Sequence, residues 1–166
     1  MLFLALHMTG LLAFTSLSQS TIPFHEIAHF SQKQPDPKLS PTEQKLLDLA
    51  NAERKKANAP PLKAVPLLMN AARQHSANMA TKGELNHELD GKGPAERLTD
   101  LGYQWRAVAE NIALGQRIPQ QAITTWMNSD GHRTNLLNST YTEVGLALAK
   151  ARDGSVYWTM VFALAK

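Results

Sequence analysis

The stretch VGLALAKARDGSVYWTMVF, residues 144–162, decides the fold class of this chain. In each half, large apolar residues recur at every second position, which is the period of a β-strand. Asp153-Gly154 between the halves is a strong signal for a tight hairpin turn. The stretch therefore predicts two antiparallel strands joined by a short connection near the end of the chain.

The residues before this hairpin carry helical signals instead. Ser40-Pro41-Thr42-Glu43 is a capping box with proline at the first helical position, and it predicts a helix to about Ala57. Three more helices, each opened by a proline, are predicted at 66–82, 94–101 and 119–128. Because the helices come first and the hairpin last, we expect an α+β fold with an antiparallel sheet.

The N-terminal residues have the pattern of an export signal followed by a tether. Residues 2–17 are mostly apolar, and small residues at 16–20 favour cleavage after Ser20. The apolar run is shorter than the roughly 20 residues that span a bilayer. However, no basic residue precedes the run, as one normally does in a signal peptide, so the segment could instead stay attached as an anchor. Residues 21–40 hold three prolines and no sustained period. We expect a signal peptide at 1–20, a flexible linker at 21–40, one domain at 41–166, and a secreted or periplasmic protein without a stable membrane span.

The stretch His25-Glu26-Ile27-Ala28-His29 matches the HExxH pattern of zinc proteases. That chemistry needs both histidines on one face of a stable helix and a further ligand downstream. Here Pro23 and Pro35 flank the motif, and no scaffold precedes it. A catalytic site is therefore disfavoured, a loose metal-binding tail is less so, and the role of the stretch stays open.

The composition excludes several classes of protein. The chain of 166 residues has no cysteine, which rules out a disulfide framework, a thiol nucleophile and a thiolate metal site. The formal net charge of +3 is mild, and Arg54-Lys55-Lys56 is the only basic run. We therefore expect no nucleic-acid partner. The length suits a single domain, which we expect to be monomeric.

Three short polar stretches carry the residues suited to chemistry. They are Asn86-His87, the sequence AENIA at 109–113, and the sequence SDGHRTN at 129–135. Together they supply two imidazoles and one central carboxylate, Glu110. Each stretch contains Gly, Asn or Ser, which favour turns and helix ends, so we expect the groups to converge on one cleft from separate loops.

The order and spacing of these stretches resemble the CAP superfamily, also called the SCP/TAPS domain, and most closely its small bacterial secreted members. The resemblance covers about residues 42–163 and implies a three-layer α-β-α sandwich. It also implies a cleft with two histidines and two acidic residues, of which three positions are matched by His87, Glu110 and His132. Ser129 stands where the second acid is expected, and Asp130 is adjacent but shifted.

The matched residues favour a binding module over an enzyme. We expect the cleft to hold a divalent cation such as Zn²⁺, held weakly, or a small-molecule or lipid ligand. Two neutral imidazoles can hold zinc, so His87 and His132 are the expected metal ligands. The full set of expected cleft residues is His87, Glu110, His132, Asn111 and Ser129.

Other interpretations of the same residues remain open. In a hydrolase, Glu110 or His132 would activate water, alone or with a metal. A nucleophile and base pair of Ser129 and His132 is disfavoured, because Ser129 lacks a Gly-x-Ser-x-Gly setting. In a third interpretation the polar groups only support the structure, and the domain displays a surface to a protein partner.

Overall fold

The structure, a computed structural model, describes residues 37–166. The predicted signal peptide, most of the predicted linker and the HExxH stretch at 25–29 lie outside the described residues. The elements in chain order are α1 (Pro41–Lys56), β1 (Lys63–Ala64), α2 (Pro66–Lys82), α3 (Pro94–Asp100), β2 (Trp105–Leu114), α4 (Pro119–Met127), α5 (Asp130–Leu137), β3 (Glu143–Lys150) and β4 (Val156–Ala165). Within the described residues, no helix is both long enough and apolar enough to cross a membrane.

The structure confirms the predicted helices and the hairpin. The Ser40 hydroxyl accepts a hydrogen bond from the Glu43 backbone, and the Glu43 carboxylate accepts one from the Ser40 backbone, so the capping box is complete. Gly83 ends α2 in the left-handed conformation, with φ of 69°, where a residue without Cβ meets no steric penalty. Strands β3 and β4 pair antiparallel on either side of the Asp153-Gly154 turn.

The sheet has the strand order β1-β3-β4-β2. The three long strands pair antiparallel, as expected for the sheet, although only β3 and β4 were predicted as strands. The two-residue strand β1 adds a parallel pair with β3, in which Lys63 lies opposite Glu143. The sheet is therefore mixed, and its short parallel edge could not be predicted because two residues carry no periodicity.

Strand β2 and helix α5 were not predicted, and they carry two of the three polar stretches. The expectation that these stretches are loops is therefore wrong. Residues 110–113 of β2 are all buried, so no alternation of exposed and buried side chains marks this strand. Helix α5 begins at Asp130, where the sequence Ser-Asp-Gly had the composition of a turn.

Helices cover both faces of the sheet, which confirms the three-layer α-β-α sandwich. On one face, Trp158, Met160 and Phe162 of β4 pack in a cluster with residues of α1, α4 and α5. On the other face, Val161 and Ala163 pack in a second cluster with residues of α2 and α3. The alternation along β4 thus divides its side chains between two cores, and the polar residues of β2 are buried between helices.

Gly145 allows β3 to approach α2 closely. A Cβ at this position would lie 1.9 Å from the carbonyl oxygen of Leu68 and 2.1 Å from the carbonyl carbon. Because backbone atoms must then move, we expect Gly145→Ala to lower the free energy of unfolding by about 3 kcal/mol, measured by urea denaturation.

Gly131 in α5 provides the matched control for this substitution. A Cβ there would meet nothing within 4 Å, and alanine is the better helix former. We therefore expect Gly131→Ala to leave the free energy of unfolding unchanged or slightly increased. Equal stability of the two variants would show that β3 does not contact α2 as closely as the structure has it.

Candidate functional site

A cavity of about 510 Å³ opens where β2, α5 and the segment after α2 meet. The structure brings four of the expected cleft residues to its lining: His87, Glu110, Ser129 and His132. Each of the three ionisable groups comes from a different part of the fold, since Glu110 lies in β2, His132 in the first turn of α5, and His87 between α2 and α3. The groups therefore meet through tertiary structure and not through local spacing.

The Glu110 carboxylate is the centre of the site, and both of its oxygens are engaged. Its side chain is 2% exposed. Oε1 accepts a hydrogen bond from His87 Nδ1 at 2.9 Å, and Oε2 accepts one from Arg97 Nη2 at 2.5 Å. His75 Nε2 lies 3.6 Å from Oε1. These contacts fix the orientation of the carboxylate and direct one oxygen at His87 and the other at Arg97.

Arg97 of α3 fixes the segment that carries His87. Besides its ion pair with Glu110, its Nη1 donates to the backbone carbonyl of His87 at 2.9 Å and to that of Lys92 at 2.8 Å. Its side chain is 13% exposed, and the bond to Glu110 is partly buried, whereas the two bonds to the backbone lie at the surface. Arg97 therefore holds both the carboxylate and the backbone to which the His87 ring is attached.

The His87 ring is anchored on one side and open on the other. Its Nδ1 bonds to Glu110, and because a carboxylate only accepts hydrogen bonds, Nδ1 carries the proton. The side chain is 49% exposed. Nε2 is therefore the nitrogen that His87 offers to a ligand in the cavity.

The His132 ring is more buried and lacks a partner on one nitrogen. Nδ1 is buried and has no hydrogen-bond partner within residues 37–166, so the Ser129 hydroxyl does not engage it. Burial lowers the pKa of His132, and the nearby His87 lowers it further. The imidazole is therefore neutral at neutral pH, which is the form that binds metals.

Asn111 lies outside the lining of the cavity, although the sequence predicted it as a cleft residue. Its side chain is fully buried, and Nδ2 donates to the backbone carbonyl of His132 at 2.9 Å. Asn135 in turn donates to Asn111 Oδ1 at 3.0 Å. Because Asn111 neighbours Glu110 on β2, this chain of hydrogen bonds ties the first turn of α5 to the strand that carries the carboxylate.

The start of α5 contributes two further groups to the cavity. Ser129 occupies the N-cap position of the helix, but its side chain makes no capping hydrogen bond. Asp130, set aside in the sequence as shifted, also lines the cavity. Its carboxylate is 92% exposed and pairs with Arg133 at 2.5 Å. A second acidic group is therefore present at the rim of the cleft.

The sequence did not identify His75 and Arg97 as neighbours of Glu110. His75 lies on the apolar face of α2 and is 1% exposed, so a polar residue in an apolar stripe was the available signal. Arg97 had no such signal, since it is one of 17 basic residues. Within the described part of the chain, no group of three or more His, Cys, Asp or Glu side chains is placed to hold a metal ion.

Residues 47–162 match the family model described as CAP, cysteine-rich secretory protein family. Among curated proteins, the uncharacterized protein YkwD of Bacillus subtilis is 36% identical over 125 residues, which make up 75% of this chain and 48% of YkwD. The chain thus spans about half the length of that relative.

Two solved structures share the fold. An outer surface protein of Borrelia burgdorferi has a TM-score of 0.71 at 22% identity, over 80% of this chain and 100% of that one. An extracellular protein of Bacillus anthracis that contains an SCP domain has a TM-score of 0.66 at 27% identity, over 79% of this chain and 45% of that one.

Proposed function

The chain belongs to the CAP family of cysteine-rich secretory proteins, although it has no cysteine. We propose that it is an exported binding module whose cleft holds a divalent cation between His87 and His132. Export is supported by the outer-surface and extracellular proteins that share its fold. Zn²⁺ suits the site because neutral imidazole nitrogens are among its preferred ligands.

The engagement of Glu110 is the observation that carries this proposal. Both carboxylate oxygens have partners and the side chain is 2% exposed, so Glu110 acts on the cavity chiefly through His87 and Arg97. It fixes the tautomer and the orientation of His87. A carboxylate on the far nitrogen of a histidine is the usual support of a metal-binding imidazole, since it orients the ring and raises its basicity.

His132 supplies the second imidazole. A buried polar atom without a partner is uncommon, and the unpartnered Nδ1 of this neutral ring is suited to bind a cation. Two protein ligands leave further coordination positions to water or to a small polar or lipid ligand. We therefore expect weak and reversible binding rather than a permanent structural metal.

The alternative of a hydrolase has less support from the same geometry. It needs a free general base near the ligand, and Glu110 is bound to Arg97 and His87. Asp130 is a second carboxylate in the lining, but it is exposed and paired with Arg133. The binding module therefore accounts for more of the arrangement.

Calorimetric titration with Zn²⁺ tests the proposal on the full chain. The parent protein should carry His25→Ala and His29→Ala, which remove the imidazoles of the HExxH stretch. We expect this parent to release heat on zinc binding, because His87 and His132 are intact. Adding His87→Ala and His132→Ala should abolish that heat.

The two pairs of substitutions control for each other, because each removes two histidines from the same chain. A thermal denaturation curve for every variant shows that the fold persists. If the heat of zinc binding were the same before and after the substitution of His87 and His132, the cation proposal would be wrong. Zinc heat that disappears with His25 and His29 alone would assign binding to the N-terminal stretch.

A further inference from the structure

Large apolar side chains are exposed at three positions of residues 37–166. They are Leu85, which is 43% exposed, Leu114, which is 40% exposed, and Ile118, which is 52% exposed. Leu114 is the last residue of β2 and Ile118 is the N-cap residue of α4, so these two flank one short loop. Leu85 follows the end of α2 by three residues. Single exposed aliphatic residues need no explanation, whereas a group of them on one surface is typical of a contact with a protein or a membrane.

Two cavities show that the segments carrying these side chains meet at one end of the sheet. One cavity, of about 740 Å³, is lined by Gly115 of the loop after β2 and by Lys150 of β3. The other, of about 600 Å³, is lined by Gly83 at the end of α2 and again by Lys150. Gly115 directly follows Leu114, and Gly83 comes two residues before Leu85. The three exposed apolar side chains therefore belong to segments that lie around the end of β3.

Three unpaired cations lie on the same segments. Arg117, Lys150 and Arg152 are exposed, and none makes a side-chain hydrogen bond or an ion pair with another of residues 37–166. Arg117 and Lys150 line the same cavity. The turn after β3 contributes one acidic side chain, Asp153, which accepts a hydrogen bond from the backbone N–H of Ser155 at 2.9 Å. The cations outnumber this acid, so the surface carries a net positive charge.

The combination of aliphatic and cationic side chains fits a lipid bilayer with anionic head groups. Aliphatic side chains are stabilised in the boundary between head groups and acyl chains, and nearby lysine and arginine are attracted to anionic lipid. A soluble polyanion would neutralise the cations, but it would leave Leu114 and Ile118 in water. The apolar side chains therefore favour a membrane over an anionic polymer.

We propose that this surface docks on a bilayer that contains anionic phospholipid. Leu114 and Ile118 enter the boundary below the head groups, while Arg117 and Lys150 contact the lipid phosphates. This docking is peripheral. Neither cavity beside the turn shares a lining residue with the cleft that contains His87 and His132, so membrane docking and cation binding can be tested separately.

A polarity-sensitive dye on a single introduced cysteine tests the docking on the full chain, because the chain has no cysteine of its own. Ile118→Cys places the dye on the proposed surface, and Gln44→Cys places it on an exposed position of α1. With vesicles of phosphatidylglycerol, we expect the emission to move to shorter wavelength at position 118 and to stay unchanged at position 44. Vesicles of phosphatidylcholine should give a weaker response at position 118, since they lack the net negative charge.

The position of the dye separates docking by this surface from attachment through the apolar N-terminal run. If the protein sedimented with vesicles while the dye at position 118 kept its aqueous emission, another part of the chain would be responsible and the proposal would be wrong. Binding to linear polyphosphate without any change of emission on vesicles would assign the cations to an anionic polymer, which would also overturn the proposal.

Two pairs of charge substitutions in the dye-labelled Ile118→Cys protein test the role of the cations. Arg117→Gln combined with Lys150→Gln should raise the lipid concentration needed for half of the emission change by about tenfold or more. Lys45→Gln combined with Lys55→Gln removes the same charge from exposed positions of α1, and it should leave that concentration nearly unchanged. Equal effects of the two pairs would mean that only the net charge of the protein matters, and the proposed surface would be wrong.

Discussion

Replacing Arg54 by methionine is expected to lower the free energy of unfolding by about 4 kcal/mol. Arg54 is fully buried, and its guanidinium donates hydrogen bonds to backbone carbonyls alone. The acceptors are Pro60 at 2.8 Å, Leu136 at 2.8 Å, Asn138 at 2.9 Å and Tyr141 at 2.7 Å. Each buried carbonyl that loses its donor costs about 1–3 kcal/mol, part of which water recovers. Urea denaturation followed by circular dichroism measures the effect.

Lys55→Met is the matched control, because Lys55 is the next residue, is exposed, and loses the same charge. We expect this variant to stay within about 0.5 kcal/mol of the wild type. Arg54→Lys should fall between the two, since lysine keeps the charge but lacks the planar fork of donors. If Arg54→Met were as stable as Lys55→Met, the carbonyls would not depend on this side chain.

Arg54 also bears on the site, because it connects α1 to the end of α5. Leu136 is in the last turn of α5, and Asn138 is its C-cap residue. His132 lies in the first turn of the same helix. A loss of the Arg54 hydrogen bonds frees the far end of α5, so we expect weaker zinc binding by Arg54→Met even at temperatures where it remains folded.

The elements that the sequence predicted are those with local signals of their own. The capping box at Ser40 and the turn at Asp153-Gly154 each carry their information within four residues or fewer. Strand β2 has no such signal, because residues 110–113 are buried through contacts with distant helices. Helix α5 begins with Asp130-Gly131, a pair that is typical of turns.

The three ionisable residues of the candidate site could be predicted because the order of their motifs along the chain matches that of a known fold. The structure brings His87, Glu110 and His132 to one cavity, and their role in binding remains a prediction. The residues that contact Glu110 could not all be predicted from the sequence. His75 and Arg97 lie 35 and 13 residues before it, and the packing of α2 and α3 beside β2 alone places them there.

Glu110→Ala is expected to lower the free energy of unfolding by about 3–5 kcal/mol, because it leaves Arg97 and the His87 ring without their shared carboxylate in a buried setting. Glu110→Gln is the more informative variant. It keeps the shape and one acceptor oxygen, but its amide NH₂ opposes either His87 Nδ1 or Arg97, both of which donate to the carboxylate. We expect it to fold with reduced stability and to bind zinc about 10–100-fold more weakly, since His87 loses the group that orients it.

Asp130→Asn is the control for Glu110→Gln, because it removes the same charge from the lining of the same cavity. Asp130 is 92% exposed, so its loss should change the free energy of unfolding by no more than about 0.5 kcal/mol. Its effect on zinc affinity should be smaller than that of Glu110→Gln, because Asp130 bonds to neither His87 nor His132. Calorimetric titrations of both variants separate the two roles. A folded Glu110→Gln protein that binds zinc as tightly as the wild type would show that the carboxylate does not prepare His87 for a ligand, and the proposed function would lose the observation on which it rests.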